Sequence, residues 1–319
     1  MSGTTAAAFG ALAVLLAGPV PALLSRAKWP LRAPRAALVL WQAIALAAVL
    51  SAFSSGLAIA SMLLVPGPDG RPTTSPTDEI AALGLPLWVL SVSVFAITVL
   101  IGARLMYSTA RVAIRTRRRR SHHRMLVDLL DQRDPRLAEY STADLRVLQH
   151  DEPMAYCLPG LRQRVVVSAG TLDQLAPAEL SAILAHERAH LRARHDLVLE
   201  AFTAVHEAFP RFVRSKSALG SVRLLIELLA DDAALRSTGP RPLAQALVTC
   251  AASKTPEGAM AAGGPSTLVR IRRLADGTYD ARVSAAAYTT AILILVGPTI
   301  AVAVPWLVEL SRLFGFTHR

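Results

Sequence analysis

Four runs of apolar residues limit this sequence to a membrane fold. They cover about residues 5–24, 37–65, 83–106 and 285–307. Each is long enough to cross a hydrocarbon core of ~30 Å at 1.5 Å per helical residue. None has an internal Lys, Asp or Glu, and Arg104 at the end of the third is the only Arg. A mean hydropathy of +0.41 and 53% hydrophobic residues agree, being too high for an ordinary soluble chain of 319 residues. The second run exceeds what a bilayer needs, which predicts tilt or an overhanging turn. Gly18, Pro19 and Pro21 should kink or shorten the first.

Basic residues set the expected topology. Arg26, Lys28, Arg32 and Arg35 fill the first loop, and Arg104, Arg111, Arg115, Arg117 to Arg120 and Arg124 follow the third run. The loop 66–82 holds one Arg against Asp69, Asp78 and Glu79. The positive-inside rule then gives N-terminus out, four crossings and C-terminus out, in a multi-pass protein of the cell membrane. The first run precedes its positive charges, so it reads as an anchor and not as a cleavable signal. On this reading residues 1–106 hold three spans and 107–284 form one cytosolic domain. Residues 285–307 form the fourth span, with a short outer tail at 308–319. The net charge of +11 raises the question of nucleic acid. The run 115–120 sits directly after a span, however, where arginines fix topology and meet anionic lipid. No helix-turn-helix or finger spacing accompanies it, so the bilayer is the expected partner and direct nucleic-acid binding is not expected.

Within the central domain, residues 186–190 read His-Glu-Arg-Ala-His. On a helix, positions i and i+4 share a face, so His186 and His190 can offer imidazoles to one metal ion. Glu187 lies beside them as a base for an attacking water. Pro177, Glu179 and the repeat Leu180, Ile183, Leu184, Leu191 predict that helix. Imidazole and carboxylate donors suit zinc, one ion per chain. A third ligand is required, and Glu227 can supply it from a second apolar helix over 222–235. Asp231, four residues on, faces the same side and can hold a ligand imidazole by its other nitrogen. Asp232 reads as a solvated edge. His195 and His206 are rival ligands: His195 breaks the helical phase of His190, His206 lies in an amphipathic segment, and both read as surface histidines. Cys157 and Cys250 have no ligand-spaced neighbours, and a reducing compartment argues against a disulfide. Ala155–Cys157 and Arg164–Ser168 read as two short strands around Leu158-Pro159-Gly160. If one is an exposed edge beside the metal, it could hold an extended peptide by main-chain pairing.

The order of these features resembles the BlaR/MecR-type membrane metallopeptidases, signal transducers of β-lactam resistance. The likeness rests on Cys157-Leu-Pro-Gly160, Val165-Val-Val-Ser-Ala-Gly170, Ala185-His-Glu-Arg-Ala-His190 with Asp196 beyond it, Glu227-Leu-Leu-Ala-Asp-Asp-Ala233, and the four spans. It implies an α-helical membrane protein with four transmembrane helices and a cytosolic, mainly α, zincin-like α+β metallopeptidase domain. It implies zinc on His186, His190 and Glu227, Glu187 as base and Asp231 as orienting carboxylate. The substrate would be a cytosolic protein such as a transcriptional repressor. The related HtpX-like proteases share a similar metal site, and in that wider group a late His and Arg steady the transition state. Arg270 resembles the Arg, while the position of the His holds Gly264. Unlike HtpX-like chains, no apolar span separates His190 from Glu227. Only residues 308–319 follow the fourth span, so no penicillin-binding domain is expected and antibiotic sensing is not carried over. Two alternatives stand beside regulatory cleavage: HtpX-like quality control, and a non-catalytic membrane signalling scaffold. Oligomeric state is not legible.

Overall fold

The computed structural model describes residues 3–66, 72–73, 75–131, 134–140, 143–209, 216–251, 260–261, 267–277 and 279–300, with isolated positions beyond. Helix dominates. In chain order come α1 (Gly3–Ala17), α2 (Pro19–Arg26), α3 (Pro34–Ala60), α4 (Pro76–Leu83) and α5 (Leu85–Leu130). The domain continues with β1 (Leu145–Leu148), β2 (Ala155–Leu158), β3 (Arg164–Ser168), α6 (Ala169–Gln174), α7 (Pro177–Arg192), α8 (His195–Ala208), α9 (Lys216–Thr238) and α10 (Pro240–Cys250). It closes with β4 (Met260–Ala261), α11 (Thr267–Asp276) and α12 (Ala281–Pro298).

Among the described residues, four helical stretches are long and apolar enough to cross a membrane: Thr4–Arg26, Pro34–Leu63, Leu85–Leu130 and Ala281–Pro298. Gly18 separates α1 from α2, as Pro19 and Pro21 require, since neither can donate to the preceding turn. α1 and α12 both pack on α3. α3 also approaches α5 closely, for a Cβ on Gly56 would lie 2.0 Å from Thr98 Oγ1. A small residue at such a crossing lets membrane helices touch without a hydrophobic driving force.

The third apolar run does not end its helix near residue 106. α5 runs unbroken through 46 residues to Leu130, a rod of about 69 Å. Its second half is rich in Arg, a good helix former, so nothing terminates it when hydropathy falls. This half is clamped to α8. Ser108 Oγ donates to Ala204 O at 2.8 Å, Arg104 Nε donates to Ala208 O at 3.2 Å, and Arg115 pairs with Glu207 at 2.5 Å. The Ala208 carbonyl lies at a helix C-terminus, where a cation is favoured.

The sheet has the order β1-β3-β2-β4. β1 runs parallel to β3, and β2 runs antiparallel to β3 with Ala155 opposite Val167 and Cys157 opposite Val165. The predicted strand pair is therefore present. Neither strand is an edge, however: β2 pairs on its far side with β4, Cys157 opposite Met260. The condition of a free edge in this hairpin is therefore not met, because the two-residue β4 covers β2 at Tyr156 and Cys157.

One core joins sheet, domain helices and membrane helices. Val165 and Val167 of β3, Ile183 and Leu184 of α7, and Val222, Leu225 and Leu228 of α9 share it with Leu38 and Trp41 of α3. The apolar start of the second span thus buries itself against the domain.

Candidate metal centre

α7 begins at Pro177, whose missing N–H costs nothing at the first helical position. Glu179 reaches back to accept from the Ala176 N–H at 3.0 Å. The stripe Leu180, Ile183, Leu184, Leu191 is buried, which carries His186, Glu187 and His190 into the interior. All three are at most 1% exposed. α9 crosses α7 with Glu227 and Asp231 turned toward it.

The ligand atoms converge. His186 Nε2 and His190 Nε2 are 3.1 Å apart. Glu227 Oε2 stands 3.5 Å from the first and Oε1 3.6 Å from the second. Donors bound at ~2.0–2.1 Å around a tetrahedral zinc ion sit about 3.3 Å from one another. Two imidazoles and one carboxylate at these separations fit such an ion and leave a fourth position open. The three residues form a possible metal-holding group among the described residues.

Around them lies a layer of charge. Asp231 Oδ1 is 3.0 Å from His186 Nδ1, the nitrogen turned away from the ligand cluster. Arg270 of α11 forks onto Asp231, Nε to Oδ2 at 2.8 Å and Nη2 to Oδ1 at 2.6 Å, and its Nη1 meets Glu227 Oε2 at 3.0 Å. Arg270 is 1% exposed. The structure therefore brings all six predicted site residues together, with Arg270 directed at the two carboxylates. Gly264 lies outside the described residues.

Burial and pairing set the protonation preferences. Burial pushes the Glu187 carboxyl up to about 8, so without metal it holds its proton at neutral pH, and a cation bound beside it would favour the carboxylate that a base requires. Both of its oxygens are buried with a weakly donating thiol beside them, a costly placement unless a ligand or water meets them. The Cys157 thiol lies beside that carboxylate, and burial together with Glu187 raises it. Burial opposes the charged form of His186, yet the Asp231 and Glu227 carboxylates hold it up at about 9. Burial drives His190 down to about 3. Asp231 is buried, but hydrogen bonds from Arg270 and His186 hold its carboxyl below the usual range.

Two residues read as peripheral from sequence belong here. His195 is only 5% exposed, and its Nδ1 lies 3.0 Å from His190 Nδ1. Arg194 explains this: it adopts the left-handed conformation at φ 51°, ends α7 and turns the chain inward. That conformation costs a non-glycine residue about 1–2 kcal/mol. Asp232 is half-buried and forks with Arg273 at 2.5 and 3.0 Å instead of lying solvated. His206 lies on α8, outside the ligand group. Arg120, submerged in the basic run of the sequence, is buried against α8, its Nη1 3.1 Å from Asp196 and 2.6 Å from Glu200. Only buried acids opposite one arginine would have distinguished it, a pattern invisible in one dimension. Cys157 and Cys250 are both buried and are not joined in a disulfide.

Comparison with known proteins agrees with this geometry. No curated protein and no solved structure matches the chain. The family model described as Peptidase family M48 matches residues 116–278, just over half of the sequence, beginning within the Arg-rich half of α5 and ending after α11. This span contains the two histidines, Glu227 and every charged group placed around them. It supports a metallopeptidase with membrane-associated helices and does not extend to the finer BlaR/MecR-type likeness. By that match, the chain belongs to peptidase family M48.

Proposed function

We propose that the chain is an integral-membrane zinc endopeptidase with its active site on the cytosolic side, and that its substrate is a cytosolic protein cut for a regulatory purpose. The carrying observation is the convergence of His186, His190 and Glu227 beside the buried Glu187 carboxylate. A zinc ion held by those three residues supplies Lewis-acid polarisation to the scissile carbonyl and to the attacking water. Glu187 takes the proton of that water and returns it to the leaving nitrogen. Asp231 fixes the His186 ring, and Arg270 keeps Asp231 and Glu227 ionised and aimed. The basic residues flanking the apolar helices support the inward-facing orientation. A repressor as substrate follows from the BlaR/MecR-type resemblance alone.

The test has two parts. Detergent-purified protein should carry close to one zinc per chain, lost in His190→Ala. Cells carrying Glu187→Gln should then lose a small set of protein fragments that the wild type produces. One or two targets support regulatory cleavage, and dozens would make it a quality-control protease. No fragment lost, with partner binding intact, would leave a scaffold.

A further inference from the structure

We propose that His195 is a positioning residue of the metal centre: it accepts the Nδ1 proton of His190 and fixes that ring for ligation through Nε2, while Asp196 and Arg120 tie it to α5. The inference rests on the zinc reading above and adds a residue to it.

The two nitrogens of His190 face different neighbours. Nε2 points at His186 and Glu227, and Nδ1 meets His195 Nδ1 at 3.0 Å. A neutral imidazole that ligates through Nε2 carries its proton on Nδ1. Among the described residues the acceptor that faces that proton is the His195 Nδ1 lone pair, which places the His195 proton on Nε2. The two metal-binding histidines thus have different outer partners. His186 has a carboxylate, Asp231, whereas His190 has a neutral ring. The neutral partner suits a cluster where Glu187, Glu227 and Asp231 already bring three acidic groups.

His195 is held from the membrane side. It opens α8 directly after the left-handed Arg194, and the next residue, Asp196, is 2% exposed and bound by Arg120 Nη1 at 3.1 Å. The same nitrogen meets Glu200 at 2.6 Å, one turn further along α8. Arg120 sits on α5, the helix that begins in the third apolar run. One guanidinium therefore locks the first turn of α8, and with it the acceptor of a metal ligand, to a membrane-spanning helix. The path has three links: Arg120, Asp196 with its neighbour His195, and His190.

The test measures metal affinity in the full-length, detergent-purified protein without substrate, by competition with a chelator for zinc. Cobalt(II) absorption reports the ligand geometry in parallel. His195→Leu removes the acceptor at similar bulk, and His195→Asn keeps an acceptor oxygen near the place of Nδ1. We expect His195→Leu to weaken zinc on the order of 10- to 100-fold and to shift the cobalt bands. His195→Asn should recover most of the affinity, and Arg120→Met should lose less than His195→Leu. Metal-free melting temperatures show whether each variant is folded; should the Leu variant not fold, the Asn variant and Arg120→Met carry the test. Equal zinc affinity in wild type and His195→Leu, or a folded His195→Asn as weak as the Leu variant, overturns this proposal alone. No zinc in the wild type overturns the metallopeptidase reading together with it.

Discussion

Arg270 offers the sharpest test of how the centre is held together. It is buried and contributes three short contacts to two carboxylates, joining Asp231 to Glu227 through one guanidinium. Arg270→Met preserves much of the bulk and deletes the charge. Breaking a buried ion pair from one side costs about 3–5 kcal/mol, because the orphaned carboxylates remain desolvated. For a domain of this size about 2–4 °C is lost per kcal/mol, which gives a fall of roughly 6–20 °C in melting temperature. The loss should depend on metal. A zinc ion beside Glu227 replaces part of the missing positive charge, and His186 still faces Asp231, so the zinc-loaded variant should lose fewer degrees than the chelator-treated one. Arg270→Lys should recover little, since one ammonium cannot reproduce the fork. Fluorimetric melting in detergent, with and without chelator, reads wild type and both variants in each metal state. A chelator-treated Arg270→Met within 1–2 °C of wild type, or an equal loss in both metal states, would refute the reasoning.

Two further outcomes follow from the same structure. Metal-free protein should be most stable near pH 6.5. His190 and His195 are lowered by burial to about 3 and about 4, so their contribution is full above their unfolded value near 6.5 and is lost as pH falls through the folded values. Glu187 and His186 are raised to about 8 and about 9, so theirs is full below their unfolded values and lost as pH rises toward 8 and 9. The two histidines outweigh Glu187 on the acid side, with a limiting slope of about 1.4 kcal/mol per pH unit; a melting temperature flat from pH 5 to 8 would contradict this. Trp41→Ala, at a 2% exposed site shared by α3 and the domain core, should cost about 3–5 kcal/mol. It should also make α9 an early site of limited proteolysis; unchanged proteolysis would show that α3 does not support α9.

Much of this architecture is legible one residue at a time. The apolar runs, the stripe Leu180, Ile183, Leu184, Leu191 and the Val165–Val167 strand each carry their own period, and the i, i+4 pairs on α7 and α9 place four of the six site residues by helical geometry, with Glu187 next to His186 in the chain. What escaped depends on contacts distant in sequence or on a break in period. His195 fell out of phase because Arg194 takes a left-handed turn that its sequence neighbours do not announce. The continuation of α5 to Leu130 was hidden because a span is recognised by hydropathy, whereas helix persists wherever nothing stops it. β4 is two residues long and exists through its pairing with β2.

The core shared by α3 and α9 has a consequence for reach. Glu227 rides on a helix whose apolar face is seated against Leu38 and Trp41, and α5 enters the other side of the domain without a joint. On the membrane-protease reading proposed above, such an active site would be fused to the bilayer wall, not hung from it on a tether. It would not swing out to collect a folded protein at a distance. On that reading the slack would come from the substrate: a chain with an unstructured stretch long enough to reach Glu187 at the membrane face would be cut more readily than a folded protein.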